Sequence, residues 1–247
     1  MRLAPSPAVL IFLLFLTALP TAQGADRGAE RVRSALQARF PDAQIDMPHP
    51  SSIPGYYEVT VGSQVLYASH NGRYLIVGDL IDLQQDANLS ELKRMALRRD
   101  ILDSIDPSQM VVMGPAGAGR HLTVFTNVDC QFCRNMHKEL KTLAAGGGVQ
   151  VRYVLLPEGR ADSGTYAKTL SVLCAPNRLL ALDKAMAGGQ LPRRQCAVPV
   201  SLFLNTARKL NVRGLPTTVL DNGMMLSGFA SAPQLERILQ VSPAVDE

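Results

Sequence analysis

The chain has 247 residues, 47% of them hydrophobic, with 25 basic against 21 acidic side chains and a formal net charge of +4. That length suits one or two domains, and the absence of tryptophan leaves aliphatic side chains to fill the interior. Basic residues are scattered, with no run interleaved with aromatics, which argues against a nucleic-acid partner.

Residues 1–24 read as a signal peptide. Arg2 supplies a basic start, Val9 to Leu19 is an almost unbroken apolar run, and Ala22-Gln23-Gly24 offers small residues before a cleavage point ahead of Ala25. The apolar run is too short to span a bilayer comfortably, and no later segment is long and apolar enough. The mature chain is therefore expected to be soluble and exported, into a compartment where disulfides persist.

Residues 25–86 form a first unit. Val32, Leu36 and Phe40 share one face of a helix predicted over 31–40, which Pro41 ends. After an irregular passage marked by Pro48, Pro50 and Pro54 come three strand-like segments, 57–61, 64–69 and 73–77. Asn71-Gly72 predicts a type I′ hairpin between the last two. One helix and a small sheet make a poor independent core, and the outer strand needs a partner or protection; a second copy of the chain is the simplest one.

Residues 87–107 read as a linker helix over 88–106, capped by Asn88 or Ser90 and stopped by Pro107. Leu89, Leu92, Met95, Ala96, Ile101, Leu102 and Ile105 form its apolar side. That pattern fits a solvated surface helix packed on one domain as well as a connector between two. Met110 to Met113 and the loop Gly114–Gly119 lead onward.

Residues 108–247 read as strand 121–126, helix 130–145, a Gly146–Gly148 break, strand 149–156, a mostly helical stretch 162–211, a hairpin around Asp221-Asn222-Gly223, and a helix from Pro233 to about Leu239. This order is that of a thioredoxin fold with a helical insertion between its halves. The overall class is α/β (α+β overall), with a small α+β domain and a linker helix preceding the thioredoxin-like domain.

Cys130-Gln131-Phe132-Cys133 lies where the first strand of this domain meets its helix, on which Phe132, Met136, Leu140 and Leu143 recur at helical spacing. Unpaired N–H groups at a helix N-terminus favour thiolate over thiol, so the pair suits thiol–disulfide exchange. The competing reading is half a zinc site. It lacks a second ligand pair at short spacing, because Cys174 and Cys196 stand 22 positions apart and His49, His70, His121 and His137 are scattered. Neither a metal nor a cofactor is expected. Asp129 precedes the first thiol, where it could cap the helix but would oppose a second negative charge. Cys174 and Cys196 most simply bridge each other, a closure worth about 3 kcal/mol in the chain-entropy model; a second exchange site is the alternative. Pro216, after Leu215, is awkward at the start of a central strand unless its bond is cis or the strand begins there. In thioredoxin folds a cis-proline loop lies against the Cys-x-x-Cys.

Over nearly its whole mature length the chain resembles the periplasmic disulfide isomerase family of DsbC and DsbG. The resemblance rests on Val65-Leu-Tyr-Ala-Ser-His-Asn-Gly72, Thr123-Val-Phe-Thr126, the Cys130/Cys133 pair, His137, and Val151-Arg-Tyr-Val-Leu-Leu-Pro157. Cys174/Cys196, Gly214-Leu215-Pro216 and Asn222-Gly223 complete it. It implies a V-shaped homodimer in the periplasm, joined through residues 25–86, with two thioredoxin domains facing a shared apolar cleft. It implies Cys130 as attacking thiol, Cys133 as resolving thiol and Cys174–Cys196 as a structural disulfide. The partners it implies are misfolded disulfide-containing exported proteins and a membrane reductant of the DsbD type. The family usually has Gly-Tyr where this chain has Gln131-Phe132, and threonine where it has Leu215, differences that bear on redox potential and client preference.

Three functions follow as expectations: a disulfide isomerase with chaperone activity, a DsbA-like oxidase or plain reductase using the same thiols, and a non-catalytic holdase using the cleft. A monomeric oxidase has no need of residues 25–86, which separates the first from the second. Thiol reactivity separates both from the third.

Overall fold

The computed structural model describes residues 26–159 and 163–242; the expected signal peptide 1–24 and its cleavage before Ala25 lie outside them. Among the described residues no helix is long and apolar enough to cross a membrane.

Helix α1 (Arg27–Arg39) begins four residues before the predicted start. The Asp26 carboxylate caps it, accepting from the Gly28 N–H at 2.9 Å, from the Ala29 N–H at 3.4 Å and from the Tyr57 hydroxyl at 2.8 Å. Ala29, Val32 and Leu36 are buried, whereas Phe40 falls at the C-cap and is exposed. The helix covers an antiparallel sheet of β1 (His49–Pro50), β2 (Tyr56–Val61), β3 (Gln64–Ser69) and β4 (Leu75–Ile76), in that order. The proline-marked passage thus supplies an edge strand that its composition hides.

The β3–β4 connection is not the predicted type I′ turn. A type I′ turn needs positive φ at both central residues, but in this loop only Gly72 takes one, +70°. The Asn71 Oδ1 instead accepts from the Arg73 N–H and the Ser69 hydroxyl. An Asn side chain that closes its own turn relieves the backbone of the mirror-image conformation and leaves a wider loop. The strand consequently starts at Leu75 rather than Arg73.

A two-stranded ribbon, β5 (Ile81–Asp82) with β6 (Ala87–Asn88), leads into α2 (Leu89–Asp103). Asn88 is its cap, with Oδ1 2.8 Å from the Glu91 nitrogen. Helix α2 touches both units. At its start buried Ser90 bonds Tyr67 of β3 at 2.7 Å and accepts from the Leu80 N–H. Further along, buried Arg98 binds Glu91 and donates to the Gly223 carbonyl at 3.2 Å. Gly223 has φ +86°, and a Cβ there would run into the Met95 carbonyl oxygen.

After a 3-10 turn (Pro107–Gln109), the larger domain comprises β7 (Val111–Met113), β8 (Arg120–Thr126), α3 (Gln131–Ala145), β9 (Val149–Leu155), α4 (Gly164–Leu173), α5 (Arg178–Met186), α6 (Val200–Lys209), β10 (Thr217–Leu220), β11 (Met225–Ser227) and α7 (Ala232–Val241). Its sheet runs β11-β10-β8-β9-β7. Strands β8 and β9 are parallel through the crossover α3, and the other pairs are antiparallel. Leu122 through Thr126 are all buried, as a central strand covered on both faces requires. Arg120 ties β8 to the β10–β11 turn through Asp221 (2.7 Å) and to the end of α7 through the Leu239 carbonyl (2.6 Å). Helices α4, α5 and α6 are the insertion. Cys174 at the C-cap of α4 is bonded to Cys196, with Cα atoms 5.8 Å apart. The units also meet at the β2–β3 turn, where Ser63 N–H donates to the Lys209 carbonyl at 2.8 Å.

Candidate active site

The site is built where β8 ends. Asn127 fixes the next turn: its Nδ2 donates to the Leu156 carbonyl at 3.0 Å and its Oδ1 accepts from the Asp129 N–H at 2.7 Å. Cys130 follows as the N-cap of α3, with its Sγ 3.4 Å from the Cys133 nitrogen. The sulfur therefore sits against the exposed-donor end of a four-turn helix, where negative charge is stabilised. Asp129, which could have capped this helix, does not.

Cys133 occupies the third helical position and is 1% exposed, whereas Cys130 is half-buried; both are free. Burial pushes the Cys133 thiol up to about 12, reinforced by the neighbouring Cys130 and opposed by bonds from Thr126 and Asn127. One thiol is thus open and at the dipole, the other sealed and held protonated.

The Leu215–Pro216 bond is cis, and the Cys130 thiol donates to the Leu215 carbonyl across 3.7 Å. Pairing of Thr217 with Phe125 and of Val219 with Thr123 carries this loop to the C-terminal end of β8, beside the thiols. The Pro216 carbonyl accepts from Gly228 N–H at 2.8 Å. Leu215 is half-buried and Pro216 buried.

Gln131 and Phe132 face solvent, Phe132 at 65% exposure. Phe132 is therefore not part of the apolar stripe to which helical spacing assigned it. Cys133, Met136, His137, Leu140, Leu143 and Ala144 form that stripe, and Phe132 stands about 100° away from Cys133 around the helix. An apolar ring is left presented beside the open thiol.

Two networks behind the thiols depend on residues distant in sequence. His137, four residues after Cys133 and so on the same helical face, is 4% exposed. Its Nδ1 lies 2.9 Å from the Tyr153 hydroxyl and its Nε2 2.8 Å from Asp183, which also meets Lys141 at 3.2 Å. Burial holds the imidazole below its ordinary value, outweighing the attraction of Asp183. The second network gathers around Asp129. Lys168 donates to its Oδ1 and Thr165 to its Oδ2, each at 2.7 Å, and Arg134 stands 3.5 Å away. Partial burial opposes ionisation, but the bonds from Lys168 and Thr165 and the charges of Lys168 and Arg134 win, so this carboxyl titrates below the usual range.

Comparison with known proteins bears on both units. Residues 20–91 match the disulfide bond isomerase protein N-terminal domain family, and residues 107–241 the thioredoxin-like domain family. The thiol:disulfide interchange protein DsbC of Escherichia coli K12 is 26% identical over 231 residues, covering 93% of this chain and 94% of that protein. The protein of the same name from Dickeya dadantii is 25% identical over 236 residues, covering 96% and 95%. A crystal structure of a disulfide interchange protein from Neisseria gonorrhoeae aligns with a TM-score of 0.49 and 25% identity, over 55% of this chain and 96% of that one.

Proposed function

The chain belongs to the thioredoxin-like domain family, and we propose that it is a protein disulfide isomerase that rearranges wrong disulfides in exported proteins through Cys130 and Cys133. The observation that carries this reading is the asymmetry of the two thiols. Cys130 is half-buried at a helix N-cap against the cis-proline loop, and Cys133 is sealed beneath it.

In the proposed step the Cys130 thiolate attacks one sulfur of a client disulfide. The client S–S bond breaks, a Cys130–client S–S bond forms, and the displaced client thiolate takes up a proton from solvent. The freed client thiol can then attack another client disulfide, and a client thiolate finally displaces Cys130 with no net change in oxidation. If rearrangement stalls, Cys133 loses its proton and attacks Cys130, releasing a reduced client sulfur and leaving Cys130–Cys133 oxidised. In the free pair burial is the main cause that holds the Cys133 thiol protonated, which would make escape slow and give the client time to rearrange. A membrane reductant of the DsbD type would return the oxidised pair to thiols.

Residues 25–86 would serve as the dimerisation domain, 87–107 as linker and 108–247 as catalytic domain. Short edge strand β4 and the exposed Tyr74, Ile76, Val77, Ile81 and Leu83 around it support pairing with a second copy. Removal of residues 1–24 and residence in the periplasm accord with the apolar Val9–Leu19 run and with a Cys174–Cys196 bridge, which an oxidising compartment would preserve. Exposed Phe132 beside the thiol supports contact with the apolar segments of unfolded clients, and so a chaperone role.

The test is refolding of a scrambled multi-disulfide client compared with oxidation of the same client from its reduced form. The reduced protein should accelerate the first and contribute little to the second. The reverse ratio would make it an oxidase.

A further inference from the structure

Asp129 adjoins the proposed nucleophile in sequence, yet its carboxylate is bound to the helical insertion. Thr165 and Lys168 reach it from the first turns of α4, and Arg134 from α3. Arg134 also donates its Nε to the Val128 carbonyl at 2.9 Å, and the Asn127 side chain fixes the Asp129 N–H. The Cys130 sulfur has its own contacts elsewhere, at the Leu215 carbonyl and the Cys133 nitrogen. The residue before Cys130 is therefore held from α3 and α4, while the thiol is turned to the cis-proline loop.

We propose that Asp129 is a positioning residue for Cys130, kept by Thr165, Lys168 and Arg134 with its negative charge on α4 and off the attacking sulfur. The proposal rests on the reading of Cys130 as nucleophile. An unrestrained carboxylate one residue away would oppose formation of a second negative charge, so the clasp keeps thiolate formation easy. Its strength comes through the insertion: α4 begins at the clasp and ends at Cys174, whose bond to Cys196 anchors the far end. Across a hollow of about 500 Å³ the other polar neighbours are Arg193, Gln190 and Ser171, and Asp129 is the one carboxylate lining it among the described residues. The charges that act on Asp129 are those of Lys168 and Arg134, both cationic.

Exposed ion pairs contribute little to folding, so clasp variants should fold. Thr165→Val keeps the threonine shape and changes no charge, which isolates positioning from the field of Lys168. In the full-length reduced protein, iodoacetamide labelling of Cys130 is followed by mass spectrometry from pH 5 to 10. Thr165→Val and Lys168→Met are each made with and without Asp129→Asn. Each single variant should move the labelling midpoint upward and slow labelling at pH 7 about fivefold, as the released Asp129 carboxylate brings its charge to bear on the sulfur. With Asp129→Asn present, the Thr165→Val effect should shrink to less than about twofold, and the Lys168→Met effect to the smaller part that the lost cation alone causes. Equal slowing in both backgrounds, or an unchanged profile in both single variants, overturns the proposal. Labelling does not require exchange with a client. A protein that labels as expected yet fails on scrambled clients would defeat the isomerase reading and leave the clasp standing.

Discussion

Cys130 and Cys133 lie one helical turn apart, and their difference is made by what each faces. Cys130 meets the Cys133 N–H at the helix end and a carbonyl, whereas the Cys133 side chain meets the core. Cys130→Ser should reduce exchange to the uncatalysed rate. Cys133→Ser should still attack and should accumulate a mixed disulfide with a scrambled client, visible on a non-reducing gel. In the reduced wild type, alkylation at neutral pH should label Cys130 alone, with Cys133 resisting until pH approaches its raised value. At this scale the sequence is legible wherever the chemistry is local. Cys-x-x-Cys at a strand–helix junction needs only order and spacing to be read. Whether Asp129 caps the helix or pairs elsewhere was not readable, because Lys168 is 39 residues away and Thr165 36. Helical spacing likewise put Phe132 in the stripe, since a period alone cannot say which of two neighbours faces inward.

Helix α3 is fastened to β9 and α5 by His137, Tyr153 and Asp183, and this sets a pH dependence. Folding disfavours the imidazolium, because burial lowers its pKa more than Asp183 raises it. Above the unfolded value of about 6.5 the ring is neutral in both states, and its contribution is complete. Below that value the unfolded chain takes up a proton that the folded chain resists, so stability falls as pH falls. Urea unfolding should therefore show a loss as pH falls below about 6.5 that His137→Gln removes, at a cost of about 1 kcal/mol at pH 7.5 for the altered hydrogen bonds. The β10–β11 turn makes a second element-scale test. Gly223→Ala must place a Cβ against the Met95 carbonyl at φ +86°, and should destabilise by about 1–3 kcal/mol, read as a lower thermal midpoint. The order of helices and strands was readable here because long buried runs and capped amphipathic helices announce themselves. The early start of α1 was not, since its cap Asp26 draws on Tyr57, 31 residues on. Nor was β1, a proline-bearing strand of two residues that exists only through pairing with β2.

For the whole molecule, the proposed dimer can be tested without cutting the chain. Val77 and Leu83 are 76% and 90% exposed in a single chain, so charging both should leave its fold intact. Val77→Asp with Leu83→Asp should give a monomer by light scattering that still reduces simple disulfides. Its rearrangement of scrambled clients should fall about tenfold or more, because the second site and its effective concentration are gone. A double variant that stays dimeric, or a monomer that rearranges clients as well as before, would count against this arrangement.

The contacts of α2 with both units lead somewhere else. Ser90 and Arg98 pin one helix to the small sheet and to the β10–β11 turn, and Ser63 meets Lys209 alongside. The domain that carries the thiol is then bonded to the small sheet through α2 as well as joined to it along the chain. A jaw built this way does not reach after a hidden bond. It waits for the client to breathe, and its turnover should track how often each client lays its own wrong disulfide open.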